Sequence, residues 1–211
     1  MENKNEKTIR FYDRRSFLGA LGIGCLGAAC FGGGGYGSGR PNRVDPYPPA
    51  GDLFIEFNHS FDHGYVRELD FRTAQASVTY HADGKEFRRE VVAHLTRDVI
   101  LVRLTAGGKP FDAVIWLDRN HEPACRLSHK ATRAGLIMDG RIKDGLSFRV
   151  QAAVRQRGGV VSLDRRNRML VGGAHEILIA VNIGTSAKGR DPARECGALR
   201  APAISWDALV R

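Results

Sequence analysis

Cysteine is scarce in this chain, and the cysteines that are present do not form a metal-binding pattern. The 211 residues include four cysteines, of which Cys25 and Cys30 lie in an apolar stretch near the start. No Cys-x-x-Cys or Cys/His spacing typical of zinc occurs, and we predict neither a metal site nor a cofactor. For Cys125 and Cys196 two alternatives stay open, a disulfide formed in an oxidising compartment or two buried thiols.

Long hydrophobic runs are also lacking, which argues against a permanent membrane anchor. The apolar stretch from Phe17 to Phe31 has fifteen residues, four of them glycines, whereas a bilayer-spanning helix needs about 20 apolar residues. Adjacent Arg14 and Arg15 precede Phe17-Leu18, a pattern typical of a twin-arginine export signal. We therefore predict a signal peptide over residues 1–30, the twin-arginine machinery as a partner, and a periplasmic or secreted product.

The end of this signal has two interpretations. Gly27 and Ala29 are small residues at the positions that a signal peptidase requires for cleavage before Cys30. Alternatively Cys30 is lipidated and anchors the protein, although the usual lipoprotein motif has leucine three residues before the cysteine and Leu26 stands four before it. The glycine- and proline-rich residues 31–48 predict a flexible spacer, which suits either a tethered or a free domain.

The chain also lacks a stripe that combines aromatic and basic residues. Its formal net charge is +9, of which +3 belongs to the first 45 residues, and the basic residues further along often alternate with acids. Such scattering is typical of solvated strand faces, so we predict no nucleic-acid partner.

What the chain does have, from residue 49 onward, is a hydrophobic period of two. Segments of six to ten residues alternate apolar and polar side chains, and turn signals separate most of them. We predict an all-β domain over residues 49–186, an antiparallel β-supersandwich of about ten short strands. The predicted strands are 52–57, 65–71, 76–80, 87–93, 99–104, 111–117, 135–138, 146–154, 160–163, 169–171 and 176–183.

Two features of this pattern make local predictions. Asp83-Gly84 tolerates the positive φ angles of a tight turn, so the strands on either side are predicted to form a hairpin. The segment Val99–Leu104 is apolar on both faces, which is typical of a central strand covered on two sides. Its predicted neighbour is the strand 111–117, which follows the turn at Gly107-Gly108.

The period changes only at the end of the chain. Asp191 followed by Pro192 predicts a short helix with aspartate as its N-cap and proline at its first position. Ser205 predicts the cap of a second helix that contains Trp206. Residues 187–211 are therefore predicted to begin a helical linker, which gives the sandwich one or two short C-terminal helices.

Five segments of the predicted domain occur in an order that is shared with one known family. They are 49–57 (PAGDLFIEF), 65–74 (YVRELDFRTA), 87–91 (FRREV), 98–106 (DVILVRLTA) and 185–192 (TSAKGRDP). In this order they resemble the N-terminal domain of glycoside hydrolase family 95, a family of inverting α-L-fucosidases and related hydrolases. Several motifs in sequence are more specific than any one of them alone.

The resemblance implies a domain that normally precedes a helical linker, an (α/α)6 catalytic barrel and a C-terminal β-domain. Because the chemistry of that family lies in the barrel, the resemblance implies no catalytic residue in this chain. The chain departs from the family by stopping in the predicted linker and by omitting strands before Gly51. The segment 26–33 also has a weak similarity to an early segment of the family's domain. We interpret this similarity as a coincidence, because glycine-rich signal peptides produce such similarities easily.

The polar loop that follows Phe57 holds the main candidate site residues. His59, Asp62 and His63 have three interpretations: metal ligands, a sugar-contacting loop, or a solvated turn. The sugar-contacting alternative follows from the resemblance, since loops of this domain can approach the mouth of the barrel's active site. Together with Arg67, these residues are the substrate-proximal candidates.

Other polar and aromatic residues have simpler interpretations. A complete glycosidase needs one carboxylic acid with a raised pKa and a second group that holds water. Glu68 and Asp70 lie beside arginines in a predicted strand, where ion pairing explains them. Trp116 and Trp206 lie among apolar neighbours and are interpreted as core or interface anchors.

Three functions are compatible with these features of the sequence. The leading one is an exported, truncated and inactive N-terminal domain of an α-L-fucosidase-like hydrolase. Its partners would be an oligosaccharide, with fucosylated glycans as candidates, and the missing barrel, in the same chain or encoded separately. The alternatives are a free-standing carbohydrate-binding module of the cell envelope and a small complete glycosidase.

Overall fold

The computed structural model describes residues 6–11, 49–94, 98–197 and 206, and these residues form two antiparallel β-sheets. The predicted all-β sandwich is confirmed, because the two sheets share one apolar core. A 3-10 turn covers Ala187–Gly189, and one short α-helix, α1, covers Pro192–Glu195 in the described part. The strands of that part are β1 Glu6–Phe11, β2 Gly51–Glu56, β3 His63–Asp70, β4 Gln75–Ala82, β5 Lys85–His94, β6 Val99–Ala106, β7 Phe111–Asp118, β8 Cys125–Thr132, β9 Gly135–Ile142, β10 Ser147–Arg157, β11 Val160–Leu163, β12 Met169–Ala174 and β13 Glu176–Thr185.

The two sheets face each other across the core. Among the described residues, one sheet has five strands in the order β1-β2-β7-β12-β11, and the other has eight in the order β3-β4-β5-β6-β13-β10-β9-β8. Alternation decides which side chains enter the core, because successive residues of a strand point to opposite faces. In β7, for example, Ala113, Ile115 and Leu117 are buried, whereas Asp112 and Asp118 are exposed.

β6 is the central strand that the sequence predicts, but its predicted neighbour is wrong. It pairs with β5 on one side and with β13 on the other. The predicted neighbour 111–117 is β7, which lies in the other sheet. The chain changes sheets at the turn of Gly107 and Gly108, both of which have positive φ. Turn residues show where the chain reverses, but they do not determine whether the next strand pairs or crosses over.

Both faces of β6 are covered, as predicted. Val102 and Leu104 enter the main core, and Leu101 packs on the opposite face in a second cluster that includes Trp206. The guanidinium of Arg103 lies 5.9 Å from the centre of the Trp206 ring. Trp206 is 8% exposed and therefore anchors the chain to the outer face of the eight-stranded sheet, in agreement with its interpretation as an anchor.

The hairpin predicted around Asp83-Gly84 is confirmed. β4 and β5 pair from Gln75 to Ala82, and Ala82 pairs with Lys85 across a two-residue turn. Asp83 and Gly84 have φ angles of 48° and 65°. Two positive φ angles define the type I′ turn that matches the twist of the flanking strands.

One strand of the region 49–186, β8, is absent from the strands that the sequence predicts. It pairs with β9 at an edge of the eight-stranded sheet. Its half-buried side, which includes Cys125, Leu127 and Ala131, packs against the core, and the alternate residues are exposed. Small and polar side chains on both faces weaken the apolar signal, so only pairing with β9 identifies this segment as a strand.

The helix predicted after Asp191 is confirmed as α1. The Asp191 carboxylate accepts a hydrogen bond from the backbone N–H of Ala193 at 3.0 Å, and Pro192 occupies the first helical position. This satisfies one of the donors that a helix N-terminus leaves unpaired. Trp206 is helical, whereas Ser205, the predicted cap of the second helix, lies outside the described residues.

Cys125 and Cys196 are both thiols in the structure, and each has its own contacts. The Cys196 thiol donates to the backbone carbonyl of Arg149 at 3.4 Å, and the Cys125 sulfur accepts from Nη1 of Arg119 at 3.4 Å. Burial raises the pKa of Cys196 to about 11. The thiol of Cys196 is therefore protonated and poorly nucleophilic near neutral pH.

The N-terminal region contributes one strand to the described structure. β1 pairs with β2 over six residues, at the edge of the five-stranded sheet, and lies within the predicted signal peptide. In the part of the chain that the structure describes, no helix combines the length and apolarity needed to cross a bilayer. The residues on which the export and lipidation predictions depend lie outside the described residues: Arg14, Arg15, Phe17, Leu18 and Cys30.

Candidate functional site

The polar loop after β2 lies beside a cleft of about 250 Å³, which we name the His59 cleft. The cleft is lined by the loop that follows β2, by the β4–β5 and β6–β7 turns with the strand residues beside them, and by β12. Its lining combines aromatic rings with carboxylate, amide and ammonium groups. The lining residues are Asn58, His59, Asp83, Lys85, Phe87, Pro110, Phe111, Asp112 and Gly173.

Two cross-turn hydrogen bonds hold the walls of the His59 cleft together. Nζ of Lys85, in the β4–β5 turn, donates to the carbonyl of Pro110 at 2.8 Å, and Nζ of Lys109 donates back to the carbonyl of Gly84 at 2.9 Å. On a third side the backbone N–H of Gly173 donates to Oδ1 of Asp112 at 2.8 Å. The β4–β5 and β6–β7 turns are thus held to each other, and β12 is held to the start of β7.

His59 itself is held by a ring contact and by a hydrogen bond. Its ring lies 4.0 Å from that of Phe87, centre to centre, and its Nε2 lies 2.9 Å from the hydroxyl of Tyr80. Nη2 of Arg89 donates to the same hydroxyl, whose own proton can then be donated to Nε2. Burial raises the pKa of Tyr80 and keeps it a neutral phenol. This arrangement directs the other imidazole nitrogen, Nδ1, away from Tyr80.

The four predicted substrate-proximal residues do not converge on one point. Of them only His59 lines the cleft. Asp62 is exposed, and its backbone N–H donates to the carbonyl of His81 at 2.9 Å. His63 stacks on His81 with ring centres 4.9 Å apart, and Nη2 of Arg67 donates to the hydroxyl of Tyr65 at 2.6 Å. The loop therefore splits into a cleft-facing half and a half that runs onto β3.

The structure does not gather the loop into a metal centre. Among the residues described, no group of three histidine, cysteine, aspartate or glutamate side chains is close enough to hold a metal ion. Sequence reasoning missed the other polar residues of the cleft, because all of them except Asn58, which adjoins His59, come from distant segments of the chain. Only Asp83 had a local signal, and that signal concerned its turn rather than a site. The missed residues are Asn58, Asp83, Lys85 and Asp112.

Two carboxylates of the eight-stranded sheet region, those of Asp70 and Glu90, are engaged in structural contacts. Asp70 accepts from the backbone N–H of Arg72 and the hydroxyl of Thr73, which lowers its pKa. Nη2 of Arg72 also lies 3.8 Å from Asp70, so the predicted ion pair forms. Glu90 is 7% exposed and lies 3.1 Å from Nε of Arg88. A general acid needs a raised pKa, so Asp70 does not fit that role.

Trp116 does not offer a free ring face to a sugar. Phe54, on the neighbouring strand β2, stacks on it with ring centres 5.0 Å apart and an angle of 6°. The guanidinium of Arg168, from the side of β12, lies 5.7 Å from its ring centre. Because β2 and β12 flank β7 on opposite sides, the indole is covered from both directions. The interpretation of Trp116 as a structural anchor agrees with these contacts.

Comparison with known families gives a match over most of the chain. The model of the family described as glycosyl hydrolase family 65, N-terminal domain, matches residues 26–190. The match covers more than half of the chain, including all strands from β2 to β13. It begins inside the predicted signal peptide and includes the segment 26–33. Comparison with curated proteins gives no match.

Proposed function

This chain belongs to the family of glycosyl hydrolase family 65 N-terminal domains, and on that basis we propose that it is a carbohydrate-contacting accessory domain whose contact site is the His59 cleft. The observation that carries the proposal is the family match, which includes every strand from β2 to β13. The cleft supports it, because aromatic rings beside carboxylate and amide groups suit the apolar faces and hydroxyls of a sugar. A non-catalytic role agrees with the structural contacts of Asp70 and Glu90.

The finer assignment rests on the motifs of the sequence. The five ordered segments resemble the N-terminal domain of glycoside hydrolase family 95, and this resemblance favours fucosylated oligosaccharides as ligands. The proposed catalytic partner is an (α/α)6 barrel, in the same chain or in another. The carbohydrate-binding module remains the second candidate, because the cleft is formed within this chain.

Binding of a fucosylated oligosaccharide should depend on His59. We expect the His59→Ala variant to bind about tenfold more weakly than the unaltered chain, since the variant loses a ring and a hydrogen-bonding group in the cleft. Isothermal titration calorimetry measures the change, with the same oligosaccharide lacking fucose as the ligand control. His121→Ala, which replaces an exposed histidine outside the cleft, is the matched variant and should bind unchanged. Equal affinity of both variants would rule out the cleft as the contact site.

We also propose that the chain is exported by the twin-arginine route. Arg14, Arg15 and the weakly apolar stretch that follows them support this proposal. Cleavage before Cys30 would remove β1 and leave β2 at the edge of the five-stranded sheet. The rest of the sandwich is formed by strands that follow residue 49.

Export should be lost when both arginines are replaced by lysine. In a bacterial host that has the twin-arginine route, the unaltered chain is expected in the periplasm or medium, and the Arg14→Lys/Arg15→Lys variant in the cytoplasm. Fractionation and immunoblotting of the full chain give the distribution. A host without the route is the control and should keep the unaltered chain in the cytoplasm. Export of the double variant in the host that has the route, or of the unaltered chain in the host that lacks it, would contradict the proposal.

A further inference from the structure

The edge strand β3 carries an unusual concentration of exposed apolar residues. All eight of its residues are exposed, and it has only one neighbour, β4, among the described strands. Exposed apolar patches with polar surroundings mark interaction sites, and edge strands are normally protected. Five of the eight exposed large apolar side chains in the described part lie on or beside β3: Phe61, Tyr65, Val66, Leu69 and Phe71.

Two arginines, one on β3 itself and one on β5, lie on the core-facing side of the sheet near this edge. Arg67 of β3 and Arg89 of β5 both pair with Val78 of β4, so the three residues form one row across the sheet. Neighbouring strands are about 4.8 Å apart, which places the two arginine backbones about 10 Å apart. Val78 packs against the edge of the core, so this row marks where the core ends.

Each arginine is directed toward a tyrosine. Nε and Nη2 of Arg67 donate to the hydroxyl of Tyr65 at 3.2 and 2.6 Å, and its guanidinium lies 5.6 Å from the centre of that ring. Arg89 donates to the hydroxyl of Tyr80, and its guanidinium lies 4.9 Å from the Tyr80 ring centre. Phe61 joins the two tyrosines, with ring centres 6.3 Å from Tyr65 and 6.2 Å from Tyr80. We name Phe61, Tyr65, Arg67, Tyr80 and Arg89 the arginine shelf.

Neither cation of the arginine shelf has a carboxylate partner in the described part of the chain, in contrast to Arg149 and Arg103. Arg149 is bidentate to Asp139 at 2.6 and 2.8 Å, and Arg103 lies 2.6 Å from Glu176. In the described part of the chain, no carboxylate lies within 4.0 Å of Arg67 or Arg89. Moreover, Nε of Arg89 is buried and has no hydrogen-bond partner there.

An arginine with a buried and unpartnered N–H is costly unless an acceptor arrives. Guanidinium groups bind carboxylates through two parallel hydrogen bonds, which are stronger than bonds between neutral groups. A bound carboxylate would provide both arginines with the negatively charged partner that the described part of the chain does not supply. The adjacent rings of Phe61 and Tyr65 offer apolar faces for the ring that bears the carboxylate.

We infer that the arginine shelf binds a carboxylate-bearing saccharide, that is, an oligosaccharide with a uronic acid unit. The inference rests on the proposed carbohydrate-contacting function and names a ligand class at a second site. The hydrogen bond of 2.9 Å between Tyr80 and His59 joins the shelf to the His59 cleft.

The experiment compares an acidic glycan with its neutral counterpart on the full chain. We expect a galacturonate tetrasaccharide to bind at least about tenfold more tightly than the same tetrasaccharide with its carboxyl groups reduced to alcohols, and its affinity to fall as salt is added. Arg67→Gln should abolish most of this preference. Because Arg67 is exposed on an edge strand, this variant is expected to keep the fold, which circular dichroism verifies. Arg89→Gln is the second variant and should act in the same direction.

The matched control is Arg72→Gln, which replaces an exposed arginine just after β3 that is paired with Asp70. It should leave the preference for the acidic glycan unchanged. Equal binding of the acidic and neutral tetrasaccharides would overturn the inference and leave the proposed function standing, since that function is tested with a neutral ligand and His59→Ala. Poly-glutamate, an acidic peptide, is the second probe. If it bound and the galacturonate tetrasaccharide did not, the inference would also be overturned, because the shelf would then recognise the carboxylates of a protein rather than those of a saccharide.

Discussion

Replacing Ile115 by alanine is expected to lower the free energy of unfolding by about 2–5 kcal/mol. Ile115 is 0% exposed and lies in the middle of β7, where it pairs with Ile55 on one side and with Met169 on the other. Removing its side-chain carbons leaves a cavity between the two sheets, and rigid neighbouring strands cannot close it. Urea unfolding followed by circular dichroism measures the loss as a shift of the midpoint.

Val114→Ala is the matched control for Ile115→Ala. Val114 precedes Ile115 in the same strand, but it faces away from the core and is half-buried. We expect its replacement to cost less than about 1 kcal/mol. If both variants lost the same stability, the alternation that assigns Ile115 to the core would be wrong.

Replacing Gly184 by alanine should displace α1 from the sheet. A Cβ atom on Gly184 would lie 2.2 Å from the carbonyl oxygen of Pro192 and 2.9 Å from Cβ of Glu195. The first of these contacts is with backbone, which cannot move without moving the helix. We expect a loss of about 1–3 kcal/mol, comparable to that of overpacking a core.

Cys196 reports whether α1 has moved, because it directly follows that helix. It is 1% exposed, and burial raises its pKa to about 11, so iodoacetamide should alkylate it slowly at pH 8. In Gly184→Ala we expect alkylation of the Cys196 peptide, followed by mass spectrometry, to be at least about tenfold faster as the thiol returns toward its ordinary pKa.

Gly172→Ala provides the control for Gly184→Ala. Its Cβ would meet nothing closer than 3.8 Å, and its φ is not in the positive region. The stability of this variant should change by less than about 1 kcal/mol, and Cys196 should stay protected. Unchanged protection of Cys196 in Gly184→Ala would show that α1 tolerates the added atom.

The parts of the fold that sequence reasoning predicted correctly all depend on short-range chemistry. The Asp83-Gly84 hairpin depends on two residues that accept positive φ, and α1 depends on an aspartate cap followed by proline. The central position of β6 follows from its apolar residues on both faces. Each of these features is set by residues within one or two elements.

The parts that it missed depend on contacts between distant segments. β6 and β7 lie in different sheets, yet their sequences have the same apolar patterns that the two strands of a hairpin would have. Such a pattern shows which face of a strand is buried, but it does not show which strand is its neighbour. β8 has a weak apolar face and becomes a strand only when β9 provides its hydrogen bonds. The loop of His59, Asp62 and His63 reads as one polar cluster, yet only His59 faces the cleft.

The sequence by itself determined the all-β class, the Asp83-Gly84 turn and the helix cap, because alternation, turn residues and capping residues act locally. Its ordered motifs also predicted a glycoside hydrolase N-terminal domain, although the family that matches is family 65 and not the predicted family 95. Tertiary structure alone decided which strands share a sheet, which turns form the His59 cleft, and that Arg67 and Arg89 lie in one row without a carboxylate. The physical reason is that strand pairing joins residues far apart in the chain. Which side chains of a sheet are exposed therefore depends on which strands lie next to one another, and this is decided only in the folded protein.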